Sequence, residues 1–280
     1  MQGKTVVVTG GTSGIGEVAA LALAGQGARI VLVARDGERG AATMAKLKSA
    51  NAAADHKVYF ADLSSLADMK RVATEIADSE PRIDVLVNNA GAVFLARRSS
   101  IDGLEMTFAT NHLAYFVVTT VLLDRLKATA GARIVSTASD AHKSGKLDFD
   151  DLQSARNYSS FRVYGTSKLC NILFTRELAR RLDGSGVTAN CLHPGFVGTR
   201  FGQNNANNIF MKALAKTIMS FGLSPEDGAK TIIHLASSPD VAAISGEYFY
   251  KCKVAEPTDA AQNDADAKKL WDVSKQISGI

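Results

Sequence analysis

The chain has 280 residues, of which 46% are hydrophobic and 21% are charged, and its formal net charge is +4. This composition is typical of a globular protein with a substantial core, and the length allows one large α/β domain. Lysine and arginine are interspersed with acidic residues and form no stripe with interleaved aromatic residues. Nucleic-acid binding is therefore not expected.

The sequence contains no signal that directs the chain to a membrane or an oxidising compartment. No positively charged leader precedes an apolar run, and no apolar run approaches the ~18 residues expected of a membrane span. Cys170, Cys191 and Cys252 are widely spaced and lack metal-ligand spacing, which indicates reduced thiols. We therefore expect a cytoplasmic protein with no membrane anchor and no metal site.

Short runs rich in β-branched residues alternate with helical patterns along most of the chain. Their nearly continuous apolar character indicates strands that are covered on both faces, as in a parallel sheet. The predicted strands lie at 4–10, 28–35, 56–63, 83–91, 132–139, 187–195 and 246–254. The predicted helices lie at 14–25, 36–50, 65–79 and 102–129 and in the tail after Thr258. This alternation predicts an α/β fold, a doubly wound parallel sheet of about seven strands with helices on both faces.

No linker, low-complexity tract or charge block divides the chain, so residues 1–280 are predicted to form a single domain. One segment differs from its surroundings. Residues 198–224 begin with an asparagine-rich, turn-like stretch and continue as an apolar, helix-prone one. We expect this segment to act as a substrate loop or lid.

The first predicted strand leads directly into TGGTSGIG, residues 9–16, and then into a helix that starts near Glu17. Gly10, Gly14 and Gly16 would allow a tight turn, close backbone approach to a pyrophosphate and close packing of helix on strand. The helix N-terminus would offer free N–H groups and the positive end of its dipole to the phosphates. Glycines also mark ordinary turns, but a strand before and a helix after indicate the dinucleotide-binding loop of a Rossmann-type fold.

The end of the second strand bears on which nicotinamide cofactor this loop would hold. Sites for NAD usually place an acidic residue here for the ribose hydroxyls, whereas sites for NADP place an arginine for the 2′-phosphate. The sequence LVARD puts Arg35 at this point, and its planar, permanently charged guanidinium suits a phosphate. NADP(H) is therefore favoured over NAD(H). Asp36 is the competing residue for a ribose contact, and in that case Arg35 would be a solvated loop cation.

Four short motifs follow one another along the chain: TGGTSGIG (9–16), NNAG (88–91), STAS (136–139) and YGTSK (164–168). In this combination the chain resembles the short-chain dehydrogenase/reductase superfamily over essentially residues 4–255. The stretches DLQSARNYSSF, SKLCNILFTRELARRLDGSGVT and HPGFV make it most similar to the retinol dehydrogenase-like branch.

The resemblance implies a catalytic tetrad of Asn111, Ser139, Tyr164 and Lys168. Tyr164 would exchange a proton with the substrate oxygen as hydride moves. A free phenol has a pKa of about 10, and a cation one helical turn away, Lys168, would lower it. In the family the lysine also binds the nicotinamide ribose, the serine stabilises the substrate oxygen, and the asparagine holds a water of the proton relay. Ser136 lies on the same strand, but Ser139 is at the family position.

The resemblance also implies which residues contact the cofactor. They come from the glycine loop, the end of the second strand, the aspartate of FADLSS that contacts adenine in the family, the NNAG turn, the Tyr–Lys pair and the segment after the sixth strand. The predicted contacts are Gly10, Thr12, Ser13, Gly14, Ile15, Gly16, Arg35, Asp62, Leu63, Asn89, Ala90, Gly91, Tyr164, Lys168, Val197 and Thr199.

Two features depart from the family pattern. The usual pair of serines is Ala138–Ser139 here, which keeps the catalytic position. Ser139 and Tyr164 are 25 positions apart, a gap that is much longer than usual, and the branch carries a similar insertion. The extra residues near 145–160 have two possible roles, to roof the substrate pocket or to cover a helix face through which relatives associate. The chain is expected to be a monomer or a homodimer.

The sequence thus predicts an NADP(H)-dependent oxidoreductase, an alcohol dehydrogenase or carbonyl reductase, that interconverts a small-molecule aldehyde or ketone and its alcohol. Apolar residues in 93–98, 140–160 and 196–222 suggest a hydrophobic substrate, unless they simply pack the domain. These residues are Phe94, Leu95, Phe149, Tyr158, Phe196, Phe201, Phe210 and Met211, together with Phe161 directly after the second stretch.

Two alternative functions are less well supported. A non-catalytic NADP-binding sensor on the same fold would lose the tyrosine or the lysine, and this chain keeps both. An epimerase or dehydratase of the longer relatives would have a different glycine spacing and a larger C-terminal domain. His142 and His193 are interpreted as structural or substrate-lining residues, and neither belongs to a metal-ligand cluster.

Overall fold

A computed structural model of the chain describes residues 1–196 and 223–280, and within these ranges one sheet of eight strands forms the centre of the fold. The strands are β1 (Thr5–Thr9), β2 (Arg29–Ala34), β3 (Lys57–Phe60), β4 (Val85–Asn88), β5 (Arg133–Thr137), β6 (Thr188–Leu192), β7 (Tyr248–Tyr250) and β8 (Lys253–Val254). Their order across the sheet is β3-β2-β1-β4-β5-β6-β7-β8. The first seven pair in parallel, and β8 pairs antiparallel to β7.

Helices cover both faces of this sheet. They are α1 (Gly14–Gly25), α2 (Gly37–Ala50), α3 (Leu66–Ser79), α4 (Met106–Lys127), α5 (Ser160–Arg181), α6 (Pro225–Ser237) and α7 (Asp264–Ser278). Residues Ala109–Leu113 form a π-helical turn within α4. Ser65 caps α3, its hydroxyl accepting from the N–H of Asp68.

The burial of β1 shows why the strands are apolar at nearly every position. Val6 and Val8 belong to one hydrophobic core, and Val7 between them belongs to the other. Because successive side chains of a strand point to opposite faces, a sheet with a core on each face requires apolar residues throughout. The doubly wound α/β fold is thereby confirmed.

The strand order places β1 beside β4 at the centre of the sheet. Strands β2 and β3 extend the sheet on the β1 side, and strands β5 to β8 extend it on the β4 side. The loops that follow these two strands therefore diverge at the carboxyl edge of the sheet. In open α/β sheets this point is where ligands bind. It is also where the glycine loop and the NNAG turn lie.

The last predicted strand, 246–254, is interrupted. Lys251 and Cys252 have φ angles of 49° and 61°, in the left-handed region, and form a tight turn between β7 and β8. The sheet consequently has eight strands rather than seven. The predicted substrate loop or lid, 198–224, lies outside the described residues except for its end, where Ser224 caps α6.

One helix in the described part of the chain, α4, is long and apolar enough to cross a bilayer, but 72% of its apolar window is buried inside the fold. It packs in the larger core together with α3, α5 and α7. The ring of Trp271 on α7 stacks on Phe174 at 5.8 Å and meets Phe116 edge-on at 5.0 Å. The C-terminal helix thus covers the outer face of α4 and α5.

The inserted residues 145–160 are tied to the segment that follows β4. The Tyr158 hydroxyl donates to the Phe94 carbonyl at 2.7 Å, and the Gln153 side chain accepts from the N–H of Glu105 at 2.6 Å. Phe149 packs against the larger core, with the Lys269 ammonium 4.3 Å from its ring centre. The insertion therefore contacts both the segment that follows β4 and helix α7, and these contacts do not distinguish between its two expected roles.

Candidate active site

Helix α5 places Tyr164 and Lys168 one turn apart on one face, at the carboxyl edge of the sheet. Lys168 is only 3% exposed, and its Nζ donates to the carbonyl oxygen of Thr137 at 2.9 Å. The same Nζ lies 5.7 Å from the ring centre of Tyr164 and 5.6 Å from that of Tyr115. The lysine is therefore held between two aromatic rings and a strand-end carbonyl.

Ser139 lies just beyond the end of β5 and reaches Tyr164. Its Oγ accepts from the N–H of Ala141 at 3.1 Å, and a hydrogen bond between Ser139 and Tyr164 favours the ionised phenol. Ser136, the rival serine, is buried within the sheet, and among the described residues its hydroxyl has no hydrogen-bond partner. Geometry thus favours Ser139 as the serine beside the tyrosine.

Burial controls the protonation of the Tyr–Lys pair. It raises the pKa of Tyr164 to about 12, against the opposing effect of the Ser139 hydrogen bond, and it lowers the pKa of Lys168 to about 7. The lowered tyrosine pKa expected from a neighbouring cation is not found. The reason is that Lys168 directs its Nζ at the Thr137 carbonyl, and both side chains have lost water. Tyr164 is consequently a protonated acid at neutral pH.

Asn111 sits in the π-helical turn of α4 and is fully buried. Its Oδ1 accepts from the N–H of Ala92 at 2.8 Å, and its Nδ2 donates to the Ala92 carbonyl and to Ser167 Oγ, each at 3.0 Å. A Cβ at Gly91 would lie 3.3 Å from Asn111 Oδ1 and 3.6 Å from Lys168 Nζ. Asn111 therefore joins the end of the NNAG motif to α5, beside the lysine. π-Turns are frequent at functional sites.

The glycine loop and the NNAG turn pack directly on each other. Gly10 has a φ of 68°, and a Cβ there would lie 2.7 Å from Ala90 Cα. Thr9 Oγ1 accepts from the N–H groups of Asn89 and Ala90 at 3.0 and 3.2 Å. The Asn89 amide donates to the Gly10 carbonyl at 3.1 Å. Sequence reasoning did not identify Thr9, because its partners lie eighty positions away.

This arrangement fits a dinucleotide. Within the described residues, the N–H groups of Gly14, Ile15 and Gly16 at the start of α1 have no hydrogen-bond partner, and Ser13 makes no side-chain cap. Free N–H groups at a helix N-terminus bind phosphate. A Cβ at Gly10 or Gly16 would fill the space between the loops. The residues Thr12 and Ser13 complete the loop, which supports a nicotinamide cofactor at this edge.

Arg35 and Asp36 have different surroundings. The Asp36 carboxylate caps α2, accepting from the N–H of Arg39 at 2.9 Å, and this bond lowers its pKa. Arg35 follows β2, is exposed, and has no ion-pair or hydrogen-bond partner among the described residues. The cap keeps the rival carboxylate engaged within its own helix, whereas the guanidinium is available to a ligand.

The other predicted contacts are distributed as follows. Asp62 is exposed and accepts from the N–H and hydroxyl of Ser64, and Leu63 beside it is buried. Leu95, Phe161 and Phe196 are exposed large apolar side chains. The predicted residues Val197, Thr199, Phe201, Phe210 and Met211 lie outside the described residues.

The two histidines near the site make structural contacts. His142 Nδ1 lies 2.8 Å from the Ser139 carbonyl, and its Nε2 accepts from the N–H of Thr258 at 3.3 Å. His193 stacks on Tyr250 at 4.0 Å, and its Nδ1 accepts from the N–H of Gly195. Burial lowers the pKa of both rings, so both are neutral at pH 7. His142 thereby anchors the backbone of Ser139.

Known proteins share both the sequence and this architecture. The short chain dehydrogenase family profile matches residues 4–209. Human retinol dehydrogenase 14 is 40% identical over 294 residues, covering 100% of this chain and 88% of that protein. A crystal structure of a protein from Mycobacterium paratuberculosis superimposes with a TM-score of 0.79 at 30% identity, covering 99% of this chain and 94% of that one. The Pseudomonas aeruginosa RhlG/NADP active-site complex superimposes with a TM-score of 0.70 at 30% identity, covering 89% of this chain and 94% of that one.

The profile match spans most of the chain, and the relatives are similar along nearly their full lengths. The structure brings the Tyr–Lys pair, Ser139 and the two loops together at the carboxyl edge of the sheet. These findings support an oxidoreductase with a nicotinamide cofactor and a small-molecule substrate. The chain belongs to the short chain dehydrogenase family and is similar to its retinol dehydrogenases.

Proposed function

We propose that the protein is an NADP(H)-dependent oxidoreductase that interconverts a hydrophobic aldehyde or ketone and the corresponding alcohol. The observation that carries this proposal is the position of the Tyr164 phenol, hydrogen-bonded to Ser139 and one helical turn from the buried Lys168. This is the arrangement of a general acid beside a second donor for the same substrate oxygen.

Each residue of the site has a separate task in this reaction. The Tyr164 hydroxyl donates its proton to the substrate oxygen, and Ser139 donates a hydrogen bond to the same atom. Lys168 would bind the nicotinamide ribose. When Tyr164 has lost its proton, the phenolate charge favours the protonated form of Lys168, so the two groups titrate as a coupled pair. Asn111 holds the loop and α5 in register. NADPH, when bound, supplies the hydride.

The substrate class is tested by following NADPH oxidation with retinal, aliphatic aldehydes, aryl ketones and quinones. We expect turnover of at least one apolar carbonyl compound, because Leu95, Phe161 and Phe196 expose apolar surface and a relative is named a retinol dehydrogenase. Tyr164→Phe should abolish turnover while NADPH still binds, since it removes only the acidic hydroxyl. Appreciable turnover by that variant would refute the role of Tyr164. No turnover by the wild type on any compound would favour the sensor alternative.

The choice of NADP(H) rests on Arg35 and on the engagement of Asp36 as a helix cap. Hydrogen bonds to charged groups are worth about 1.5–3 kcal/mol, so Arg35→Ala should weaken NADPH binding about tenfold to a hundredfold. NADH binding should change little. Lys48→Ala, which removes an exposed cation from the far end of α2, controls for net charge. Equal losses for both cofactors in Arg35→Ala would contradict the assignment.

Location, domain organisation and oligomeric state complete the proposal. All three cysteines are free, which agrees with a cytoplasmic location. The two cores run along one continuous sheet, which supports a single domain over residues 1–280. The protein is proposed to be a monomer or a homodimer. Because α7 covers α4 and α5, a second copy that associates through that face would have to contact α7.

A further inference from the structure

Several buried side chains meet at the carbonyl oxygen of Thr137, the last residue of β5. Lys168 Nζ donates to it at 2.9 Å, Asn171 Nδ2 at 3.4 Å and the Tyr115 hydroxyl at 3.5 Å. The nearest donor is the lysine of the proposed site. Asn171 lies on α5 three residues after Lys168 and is fully buried. Among the described residues, its side-chain amide is hydrogen-bonded to the Thr137 carbonyl and not to Tyr164, Ser139 or Lys168.

A second buried group lies behind Asn171. His112, next to Asn111 in the π-turn, is fully buried, and its Nε2 lies 2.8 Å from the Oγ of Ser274 on α7. Among the described residues, neither His112 Nδ1 nor Asn171 Oδ1 has a hydrogen-bond partner. An interaction between these two side chains opposes the burial that lowers the pKa of His112 to about 3.

One tautomer of this neutral ring would give both His112 Nδ1 and Asn171 Oδ1 a partner. The Asn171 NH₂ group bonds the Thr137 carbonyl, which leaves Oδ1 as its acceptor. A proton on His112 Nδ1 would supply the donor, and Nε2 would then accept from the Ser274 hydroxyl. An amide whose oxygen faces a donor must turn its NH₂ group the other way. The Asn171 NH₂ group is thereby directed at the Thr137 carbonyl, on the side where Lys168 also bonds.

We propose that Asn171 is a positioning residue for Lys168, acting through the Thr137 carbonyl, and that His112 and Ser274 orient Asn171 from the C-terminal helix. This inference rests on the proposed function, because it assumes that Lys168 serves the reaction and the cofactor. Its consequence is that α7, which contributes no side chain to the Tyr–Ser–Lys group, sets the geometry of the site.

Ser274→Ala tests the proposal, with Ser278→Ala as a matched control. The two serines lie one turn apart on α7 and both are buried, but within the described part of the chain Ser278 Oγ bonds carbonyls of its own helix alone. Ser274→Ala should lose more thermal stability than Ser278→Ala, because it leaves the buried His112 Nε2 unpaired. The kcat values are therefore compared at a temperature at which both variants are fully folded. Ser274→Ala alone should lower kcat by about tenfold or more, because small misplacements of catalytic groups are costly. Equal kcat values for the two variants would overturn the proposal.

A double-mutant cycle gives an independent measure. Residues that act through one network have non-additive effects. We therefore expect Asn171→Leu to lower kcat at least as much as Ser274→Ala, and the double variant to be no slower than Asn171→Leu alone. Additive losses would overturn the proposed link. If Asn171→Leu does not fold, the two serine variants still decide the matter.

A measurement without turnover separates this proposal from the proposed function. In the part of the chain that the structure describes, the titratable groups that contact Lys168 are Tyr115 and Tyr164. A mispositioned Thr137 carbonyl would stabilise the ammonium less, so the pH midpoint of NADPH binding, followed by cofactor fluorescence, should fall in Ser274→Ala by about half a unit. It should not move in Ser278→Ala. If the wild type turns over no carbonyl compound, the proposed function fails, and this comparison still tests the positioning. Identical midpoints in both variants would overturn it.

Discussion

Gly16→Ala perturbs the contact between α1 and the two loops of the proposed cofactor site. An added Cβ would come closer to the Gly10 carbonyl and to Asn89 Nδ2 than the 3.0 Å below which real Cβ contacts are essentially never seen. Because the Gly10 carbonyl is backbone, the glycine loop must move. Overpacking of this kind costs about 1–3 kcal/mol, and the better helix propensity of alanine offsets at most about 1 kcal/mol.

We therefore expect Gly16→Ala to lower the free energy of unfolding by up to about 2 kcal/mol, measured by denaturant titration. The displaced loop should also weaken NADPH binding about tenfold to a hundredfold, measured by cofactor fluorescence, since 1.4 kcal/mol is about tenfold in affinity. Gly25→Ala at the other end of α1 is the control, because its Cβ would meet nothing within 4 Å. Gly16→Ala binding NADPH as tightly as Gly25→Ala would refute the reasoning.

Two further predictions concern stability. Trp271→Ala should cost about 3–5 kcal/mol of unfolding free energy, because the ring fills the contact between α7 and the α4–α5 face. The exposed Lys268→Ala on the same helix should change it by less than about 0.5 kcal/mol, and equal urea midpoints for the two would contradict this. His112 has a folded-state pKa of about 3 against 6.5 for the free side chain, so the unfolded chain alone takes up its proton below pH 6.5. The free energy of unfolding should therefore fall by up to about 1.4 kcal/mol per pH unit from pH 6.5 toward pH 3. In urea titrations at several pH values, His112→Leu should reduce the slope of unfolding free energy against pH by the equivalent of about one proton. An unchanged slope would exclude this contribution.

Much of the fold follows from local sequence patterns. The apolar runs place the six strands β1 to β6 because a sheet buried on both faces needs apolar residues at every position. Helix α1 has the predicted bounds. Helices α2 and α3 each begin one residue later than expected, because the first residue of each predicted range is the N-cap. The spacing of Tyr164 and Lys168 on one helix face also needs no tertiary information.

Only the tertiary structure could show how these parts meet. The predicted seventh strand divides at Lys251 and Cys252, two residues that are not glycine and carry no turn signature. The expected depression of the Tyr164 pKa gives way to a rise, because burial and the direction of the Lys168 side chain depend on elements distant in sequence.

The sequence by itself determined the strand–helix alternation, the glycine loop and the Tyr–Lys spacing, since each depends on neighbouring residues. The tertiary structure alone decided that Thr9 holds the NNAG turn and that Ser274 meets His112. Ser274 and His112 lie 162 positions apart in the sequence. Such contacts depend on how helices and strands pack, and no local periodicity encodes which buried polar groups that packing will pair.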